Sequence, residues 1–506
     1  MSIPERFRDP PQPAVIRRKA SNVGADTLAA CRQLVTCAGI GLATLLLVVE
    51  CYQYLQSGAY LDHIEGNVVI SAWQYLHGAP LYEIQGDAPR AATCYGPLAY
   101  FAEIPALLVF GPTVTASKLT SMLALLSTVV MMSAYFTRYR ALHEGAHGIF
   151  LFVAALVLFS PMSLWVRPDP IETLLVTAAI VSTSSPRRPL WVGVCLGMAV
   201  NLKVHAFLYF LPILADLWWV GGNRAILTAG ASSAATFCLP FLAPGISAHD
   251  YIVELAGQVG GRGQTSAQLP WTSITVAILL LPLTVPLVFH RQPPRTIFYT
   301  SATLATVILL VYPATFPGAG AYHFLPLVPV LADLRHRLSP RGMDAELTIF
   351  VILLTAWLPV EHTLQALRTQ RGADLVAKEA LELARNSPAR LVQIGYGDNR
   401  ASYQLSQLSK TVLSLNSYPA LLDAQVLMEL RQIGIDGSAK WIPYIEDCRI
   451  REWLLPRGER PFAISSYFYD DGPVFSGQFR QAFLDHYKLV ETSEHFSVWR
   501  CSAGLP

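Results

Sequence analysis

Four short stretches of this chain hold side chains whose types and spacing suit chemistry. In Asp62-His63-Ile64-Glu65-Gly66-Asn67-Val68-Val69 two carboxylates stand three residues apart, which on a helix puts both on one face. A carboxylate beside a bilayer is expensive unless it is used or paired. As a general base it would take the proton of an acceptor hydroxyl; the alternative is the solvated first turn of a surface helix. In Trp165-Val166-Arg167-Pro168-Asp169-Pro170-Ile171-Glu172, Arg167 would bind a phosphate oxygen with Asp169 fixing its rotamer, or the two would hold a tight turn. Lys203 in Asn201-Leu202-Lys203-Val204-His205 would meet phosphate as a point charge, or snorkel at a membrane interface. His323, in the Gly-rich run Pro317-Gly-Ala-Gly-Ala-Tyr322-His323-Phe324, would hydrogen-bond phosphate or acceptor, or merely satisfy a backbone group.

Two further motifs compete for attention. Arg262 lies in Gly257-Gln-Val-Gly-Gly-Arg262-Gly-Gln-Thr, which lacks the Gly-Lys-Ser/Thr ending of a P-loop and reads as a loop that orders over substrate or as plain disorder. His143-Glu144-Gly145-Ala146-His147 matches H-E-x-x-H, which on a helix would give two zinc ligands and a glutamate base. Gly145 and Gly148 weaken such a helix and no third ligand motif follows, so a chance match in a loop is expected and no metal is implied.

The elements that must position these residues are membrane helices. The chain has 506 residues, 53% hydrophobic and 14% charged, with a mean hydropathy of +0.39. A soluble chain would carry about a quarter charged residues. The net charge of +2, with no basic run interleaved with aromatics, argues against nucleic acid as a partner. The eight cysteines form no CxxC pair; Cys448 and Cys501 would pair only if the polar C-terminal part lies outside the cytosol.

Apolar segments recur at about 35–55, 116–136, 147–165, 171–184, 189–202, 206–220, 225–243, 271–289, 296–314, 321–334 and 346–361. Of the twenty-one Lys and Arg before position 345, all but Arg90, Lys118, Arg167, Lys203 and Arg262 fall in turns on one side, the cytosolic one by the positive-inside rule. The chain thus reads as an α-helical polytopic membrane protein of about eleven spans, N-terminus inside and C-terminus outside. Residues 1–33 form a basic head, 34–361 the transmembrane module and 362–506 an extracytoplasmic α/β domain. The first external loop is long, about 56–117, and its Pro97–Phe110 stretch reads as a helix lying along the membrane. In the last part, Leu391–Gly395, Thr411–Leu415, Leu421–Gln432, Phe462–Ser465, Arg480–Tyr487 and Phe496–Trp499 are the apolar runs of a small domain. Lys118 is expected to snorkel and Arg90 to be solvated.

The order of motifs resembles a known family. The acid at the start of the first loop, then Ala72-Trp73-Gln-Tyr-Leu76-His-Gly78-Ala-Pro80-Leu81-Tyr82, then Tyr95-Gly96-Pro97-Leu98, resembles the GT-C superfamily of integral-membrane glycosyltransferases, which includes the protein mannosyltransferases and aminoarabinose transferases. The resemblance covers residues 35–361. It implies a bacterial inner-membrane enzyme that moves a sugar, with inversion, from a polyprenyl-phosphate donor to a glycan, lipid or protein acceptor outside the cytosol, with no cofactor. It makes Glu65, with Asp62 second, the catalytic base; many members carry an adjacent acid pair, which this chain separates by His63 and Ile64, so either acid can be the counterpart. It gives Arg167, Lys203, Arg262 and His323 to the donor phosphate, supported by Asp169, His205, Tyr95 and Tyr322. The rival readings are a sugar-lipid transporter without chemistry, which would show inverted repeats, and an intramembrane zinc protease built on His143, Glu144 and His147.

Overall fold

The computed structural model describes residues 14–83, 93, 95–138, 142–261, 266–289, 291–338, 344–370, 372–389, 391–432, 434–466 and 472–502. It is a helical membrane module followed by a small domain built on one sheet. The module runs α1 (Ala14–Gln56), α2 (His63–Leu76), α3 (Pro97–Phe101), α4 (Ile104–Phe110), α5 (Val114–Arg138), α6 (Leu142–Leu158), α7 (Pro168–Val181), α8 (Arg188–Leu202), α9 (Phe207–Cys238), α10 (Ala248–Gly261), α11 (Leu269–Phe289), α12 (Pro294–Ala314), α13 (Val328–Arg337) and α14 (Asp344–Thr369).

Among the described residues, four stretches are long and apolar enough to cross a membrane: Gln33–Gln56, Val114–Arg138, Val204–Leu242 and Pro294–Ala314. Of the rest, α7, α8 and α13 have 14, 15 and 10 residues, shorter than the ~20 a lipid-exposed span needs. They can be short because protein encloses them: Val328 to Arg335 of α13 are all buried. The 321–334 segment is accordingly a 3-10 turn, Ala321–Leu327, running into a ten-residue helix. The expected 206–220 and 225–243 spans are the two arms of α9, which breaks at Gly222, where φ is +60° and ψ −159°. Only glycine takes such a backbone without strain. The first-loop stretch expected to lie along the membrane is two short helices, α3 and α4, interrupted at Ala102 and Glu103.

The basic turns collect at one end of the bundle. There Asp216 of α9 accepts from Arg188 at 2.7 Å, Arg295 at 2.7 Å and Arg337 at 2.9 Å, and Arg337 also meets Asp333 at 2.9 Å. Three cations on one buried carboxylate tie α8, α9, α12 and α13 together. At the same end Phe136 packs on His336 and under Gly148, which places the His143–His147 motif here as well. Its backbone is the first turn and a half of α6, so the expected loop is corrected: the apolar run that follows draws those residues into the helix despite the glycines. The side chains of His143, Glu144 and His147 lie outside the described residues.

The helix α14 runs through position 362, so the change from apolar to polar composition falls inside a continuous helix rather than at a linker. After it come α15 (Ala373–Asn386), β1 (Val392–Ile394), α16 (Arg400–Leu415), α17 (Ala424–Gln432), α18 (Ile442–Glu446), β2 (Glu452–Pro456), α19 (Gly477–His486), β3 (Tyr487–Thr492) and β4 (Phe496–Cys501). The sheet order is β1-β2-β4-β3, with β1 and β2 parallel and the other pairs antiparallel. Trp453 stands opposite Trp499, and its ring packs edge-on against Phe462 and Phe483 in the domain core. Of the apolar runs, 391–395 and 496–499 hold strands, whereas Thr411–Leu415 is the end of α16 and Phe462–Ser465 supplies core without a strand. Strands β2 and β3 carry no clear period-two alternation and were not anticipated. Cys448 and Cys501 form a disulfide, with Cα atoms 5.9 Å apart.

This domain sits on the first loop. Asn67 of α2 donates to Asp423 at 3.2 Å, Gln74 to the Ala420 carbonyl at 3.0 Å, and Gln404 of α16 to the Leu61 carbonyl at 3.3 Å.

Candidate functional site

The Asp-x-x-Glu spacing does not put two carboxylates on one working face; it builds a capping box. Asp62 is the N-cap of α2, and its Oδ1 accepts the Ile64 N–H at 2.9 Å. Glu65 folds back: its Oε1 accepts the N–H groups of Leu61 at 2.7 Å and Asp62 at 2.8 Å. Its Oε2 accepts the Val166 N–H at 2.7 Å and the Tyr54 hydroxyl. Glu65 is fully buried, and burial holds its carboxyl above the usual carboxylate range against the pull of these hydrogen bonds. It staples α1, α2 and the turn before α7 to one another, and it is not among the residues lining the cavity described below.

That turn then aims Arg167. Residue 167 is the N-cap of α7 in extended conformation and Pro168 occupies N1, where its missing N–H costs nothing. The guanidinium lies 4.1 Å from the Trp165 ring and 4.8 Å from that of Tyr322, donates to Asp62 Oδ2 at 2.7 Å, and has Nε 3.7 Å from Asp169. Burial alone would raise the Asp62 carboxyl, but His63, Arg167 and the Ile64 N–H hold it below the usual carboxylate range. Lys203, at the C-terminal end of α8, donates to Asp169 at 2.5 Å and lies 3.9 Å from Glu172. Asp169 and Glu172 are themselves inaccessible, so the two cations, also buried, sit over an acidic floor.

Glycine is required at position 96. A Cβ there would fall 1.6 Å from the Asn201 carbonyl oxygen. The close approach lets the Gly96 N–H reach the Leu202 carbonyl at 3.2 Å and the Leu98 N–H reach Asn201 Oδ1 at 2.8 Å. The first loop is thereby clamped to the end of α8, and the Tyr95 ring comes 5.5 Å from Lys203 Nζ.

A cavity of about 730 Å³ gathers these parts. Asp62, Tyr95, Arg167, Lys203, His205, Tyr322 and His323 all line it, although they come from positions as distant as 62 and 323. His323 Nδ1 is 2.9 Å from His205 Nε2, and Tyr322 stacks on His323 with centroids 4.5 Å apart. One flank is apolar and faces outward from the bundle: Phe207, Leu309 and Tyr312 are 46%, 48% and 54% exposed. The opposite flank belongs to the small domain and α10. Gln425 and Glu429 of α17 line the cavity beside Gln258, whose amide donates to Glu429 at 3.2 Å.

Sequence reasoning missed several of these. Gln258, Gln425 and Glu429 carry no local motif, and only the docking of α17 brings them in. His63 was visible in the first loop but given no role; it lines the cavity with Nδ1 3.1 Å from Asp62. Lys118, expected to snorkel, is fully buried instead, and donates to the carbonyls of Tyr54, Ser57 and Ala59 at 2.7–2.8 Å. A cation there answers the unpaired carbonyls and negative dipole end of α1. Arg262 and Arg90 lie outside the described residues. Among the described residues one His/acid group has metal-ligand spacing, Glu379, Glu494 and His495, on the small domain and remote from the cavity residues in sequence.

No protein-family model and no curated protein sequence matches this chain. The fold does match solved structures. ArnT from Cupriavidus metallidurans bound to undecaprenyl phosphate aligns with a TM-score of 0.60 at 10% identity, covering 91% of this chain and 97% of that one. The same protein in the apo state gives 0.57 at 9% identity, with 91% and 98% covered. The likeness runs through both the membrane module and the small domain.

Proposed function

We propose that this chain, an integral membrane protein with the GT-C fold, is an inverting glycosyltransferase that passes a sugar from a polyprenyl phosphate to an extracytoplasmic acceptor. One observation carries the reading: two cations, a first-loop acid and an outward-facing apolar flank share one cavity. Such a cavity suits an amphiphile with an anionic head and a greasy tail. The ArnT neighbour supports it, since that protein holds undecaprenyl phosphate.

Arg167 and Lys203 would meet the donor phosphate and take up the charge that develops on it as the sugar leaves. Arg presents a fork to two phosphate oxygens and Lys a point charge. Tyr95, Tyr322, His205 and His323 form the aromatic and imidazole wall around them, with Asp169 orienting both cations from beneath. Of the two first-loop acids, Asp62 faces the cavity and belongs to proton transfer; Glu65 holds the loop in place. Gln425 and Glu429 supply donors and acceptors that suit sugar or acceptor hydroxyls. Direct attack by the acceptor on the face opposite the phosphate inverts the anomeric centre. The Cys448–Cys501 disulfide supports an oxidising compartment for the small domain, and the Arg turns at the far end support a cytosolic one there.

The test uses the full chain in lipid nanodiscs with farnesyl phosphates bearing glucose, mannose or arabinose as donors and octyl glycosides as acceptors. Release of farnesyl phosphate with formation of a glycoside is expected from the wild type and not from D62N. Failure of the wild type to bind undecaprenyl phosphate in the same nanodiscs would refute the reading.

A further inference from the structure

We propose that Glu172 is a positioning residue for the phosphate: it holds a proton beneath Lys203, so that the lysine's charge stays available to the ligand. The proposal rests on the glycosyl-transfer reading above and gives a role to a buried acid which that reading leaves unused.

Glu172 follows Asp169 by three residues on α7, so the two carboxylates share one face. Both are fully inaccessible. Their surroundings differ. Asp169 accepts from Lys203 at 2.5 Å, has Arg167 Nε at 3.7 Å, and occupies the first turn of α7, where the helix dipole favours an anion. Glu172 has Lys203 at 3.9 Å, beyond hydrogen-bond reach, and neither of its oxygens has a hydrogen-bond partner among the described residues.

Two buried carboxylates that share one lysine do not both ionise readily, because each opposes the other's charge. A buried carboxylate without donors is also far less favourable than the acid, and such a group takes up a proton instead. The proton therefore belongs on Glu172, the acid with the poorer partners. The charged groups that face Glu172 are Lys203 at the end of α8, Arg167 from the turn before α7, and Asp169 on its own helix. From α9 comes Tyr209, whose hydroxyl donates to the His323 carbonyl at 2.8 Å. His205 faces Lys203 and Asp169.

This proton sets the charge of the cavity wall. With Glu172 neutral, Arg167 and Lys203 are balanced by Asp62 and Asp169, and an anionic head group meets no surplus carboxylate. Ionised Glu172 would add a third buried anion beneath Lys203. A sugar phosphodiester enters with one negative charge and departs as a monoester with up to two, so the need for a neutral acid grows through the reaction. Anion binding thus favours the protonated form. Affinity is full while Glu172 keeps its proton and falls as pH rises through the point where the ligand-free protein loses it. An added charge about 8 Å from the phosphorus, at an effective dielectric constant of about 20, corresponds to about 30-fold in Kd for each phosphate charge.

Two measurements on the full chain in nanodiscs decide the matter. The first is infrared spectroscopy of ligand-free protein labelled with ¹³C-glutamate. At pH 7 the wild type should show an isotope-shifted carboxylic-acid C=O band that E172Q lacks. If no such band depends on Glu172, the proposal fails, whatever the ligand does, and the glycosyl-transfer reading stands. The second is titration with undecaprenyl phosphate from neutral to alkaline pH, with undecaprenol as control. Wild-type affinity should fall by about 30-fold or more, while E172Q stays within about threefold of the neutral wild-type value throughout. An equal alkaline loss in E172Q would assign the titration to Lys203 or another group and overturn the proposal. If E172Q does not fold, the labelled wild type decides alone: undecaprenyl phosphate added at alkaline pH should strengthen the carboxylic-acid band, and an unchanged band overturns the proposal. A wild type that shows the band yet binds no undecaprenyl phosphate at any pH refutes the glycosyl-transfer reading, and with it the role at the phosphate.

Discussion

Replacing Arg167 tests whether the cavity was built for phosphate. The guanidinium donates to Asp62 through one nitrogen, is 3.7 Å from Asp169 through Nε, and is fixed by the Trp165 and Tyr322 rings. The rings keep its plane fixed, so it can offer a fork to phosphate by giving up the Asp62 contact. Two charge-assisted hydrogen bonds to the ligand contribute about 1.5–3 kcal/mol each, or about 3–6 together. Binding must loosen the Asp62 contact, which offsets about 1.5–3 kcal/mol of that. The remainder, about 1.5–3 kcal/mol, corresponds to about 10- to 150-fold in Kd. R167Q should weaken undecaprenyl phosphate binding by that factor. R167K, which keeps the charge and loses the fork, should fall between, near tenfold. The assay is titration of nanodisc-embedded protein with undecaprenyl phosphate, followed by native mass spectrometry, with undecaprenol as the phosphate-free control. Binding of the phosphate by R167Q within threefold of wild type would refute the argument. So would an equal loss for undecaprenol, since the effect would then be on the fold.

Glu65 should behave as a structural residue. E65Q turns an N–H toward a donor and is expected to cost about 2–4 kcal/mol, seen as a lower thermal midpoint by intrinsic fluorescence, and to spare activity per folded molecule more than D62N does. K118M leaves the carbonyls of Tyr54, Ser57 and Ala59 without their cation, at a cost of about 3 kcal/mol or more; a marked loss of monodisperse protein in size-exclusion chromatography is expected, and wild-type behaviour would mean that the lysine only snorkels. Glu379 on the small domain accepts the His495 N–H at 3.1 Å and pairs with its ring at 2.5 Å. Burial raises its carboxyl, but Ser493 and His495 outweigh that and hold it below the usual range. A depressed carboxylate stabilises the fold above its unfolded pKa and loses that contribution as pH falls through the folded value. E379Q should therefore melt lower than wild type at pH 7, with the difference disappearing in acid; a difference that persists there would contradict the pairing.

Much of the fold was legible in local chemistry. Apolar length and the side on which arginines fall mark the helices, because lipid excludes charge and unpaired backbone. Asp216 gathering Arg188, Arg295 and Arg337 at one end is the three-dimensional form of that asymmetry. The short α7, α8 and α13 were less legible. A helix wrapped in protein needs no full lipid-spanning length, and only packing reveals which helices are wrapped. Strand β2 was hidden for a similar reason: it is buried along its whole length, so no alternation distinguishes it from a buried helix turn, while β3 shows none because all but its first residue are exposed.

The candidate site divides along the same line. The sequence by itself determined that cations stand at Arg167 and Lys203 where membrane topology leaves them unexplained, that acids occupy the first loop, and that His323 and Tyr322 precede a late span. Residue type and sidedness are local properties, so they can be read without contacts. Only the tertiary structure decided what each residue faces. Asp-x-x-Glu reads alike as two catalytic acids or as a capping box; Tyr54 and the Val166 N–H, each far from the motif, draw Glu65 inward and leave Asp62 on the cavity. Lys118 reads as an interfacial lysine until the end of α1 closes over it. Gln425 and Glu429 have no signal at all, because they belong to the cavity only when α17 docks against α10. Direction and neighbourhood are set by contacts between distant segments, and these the linear sequence does not display.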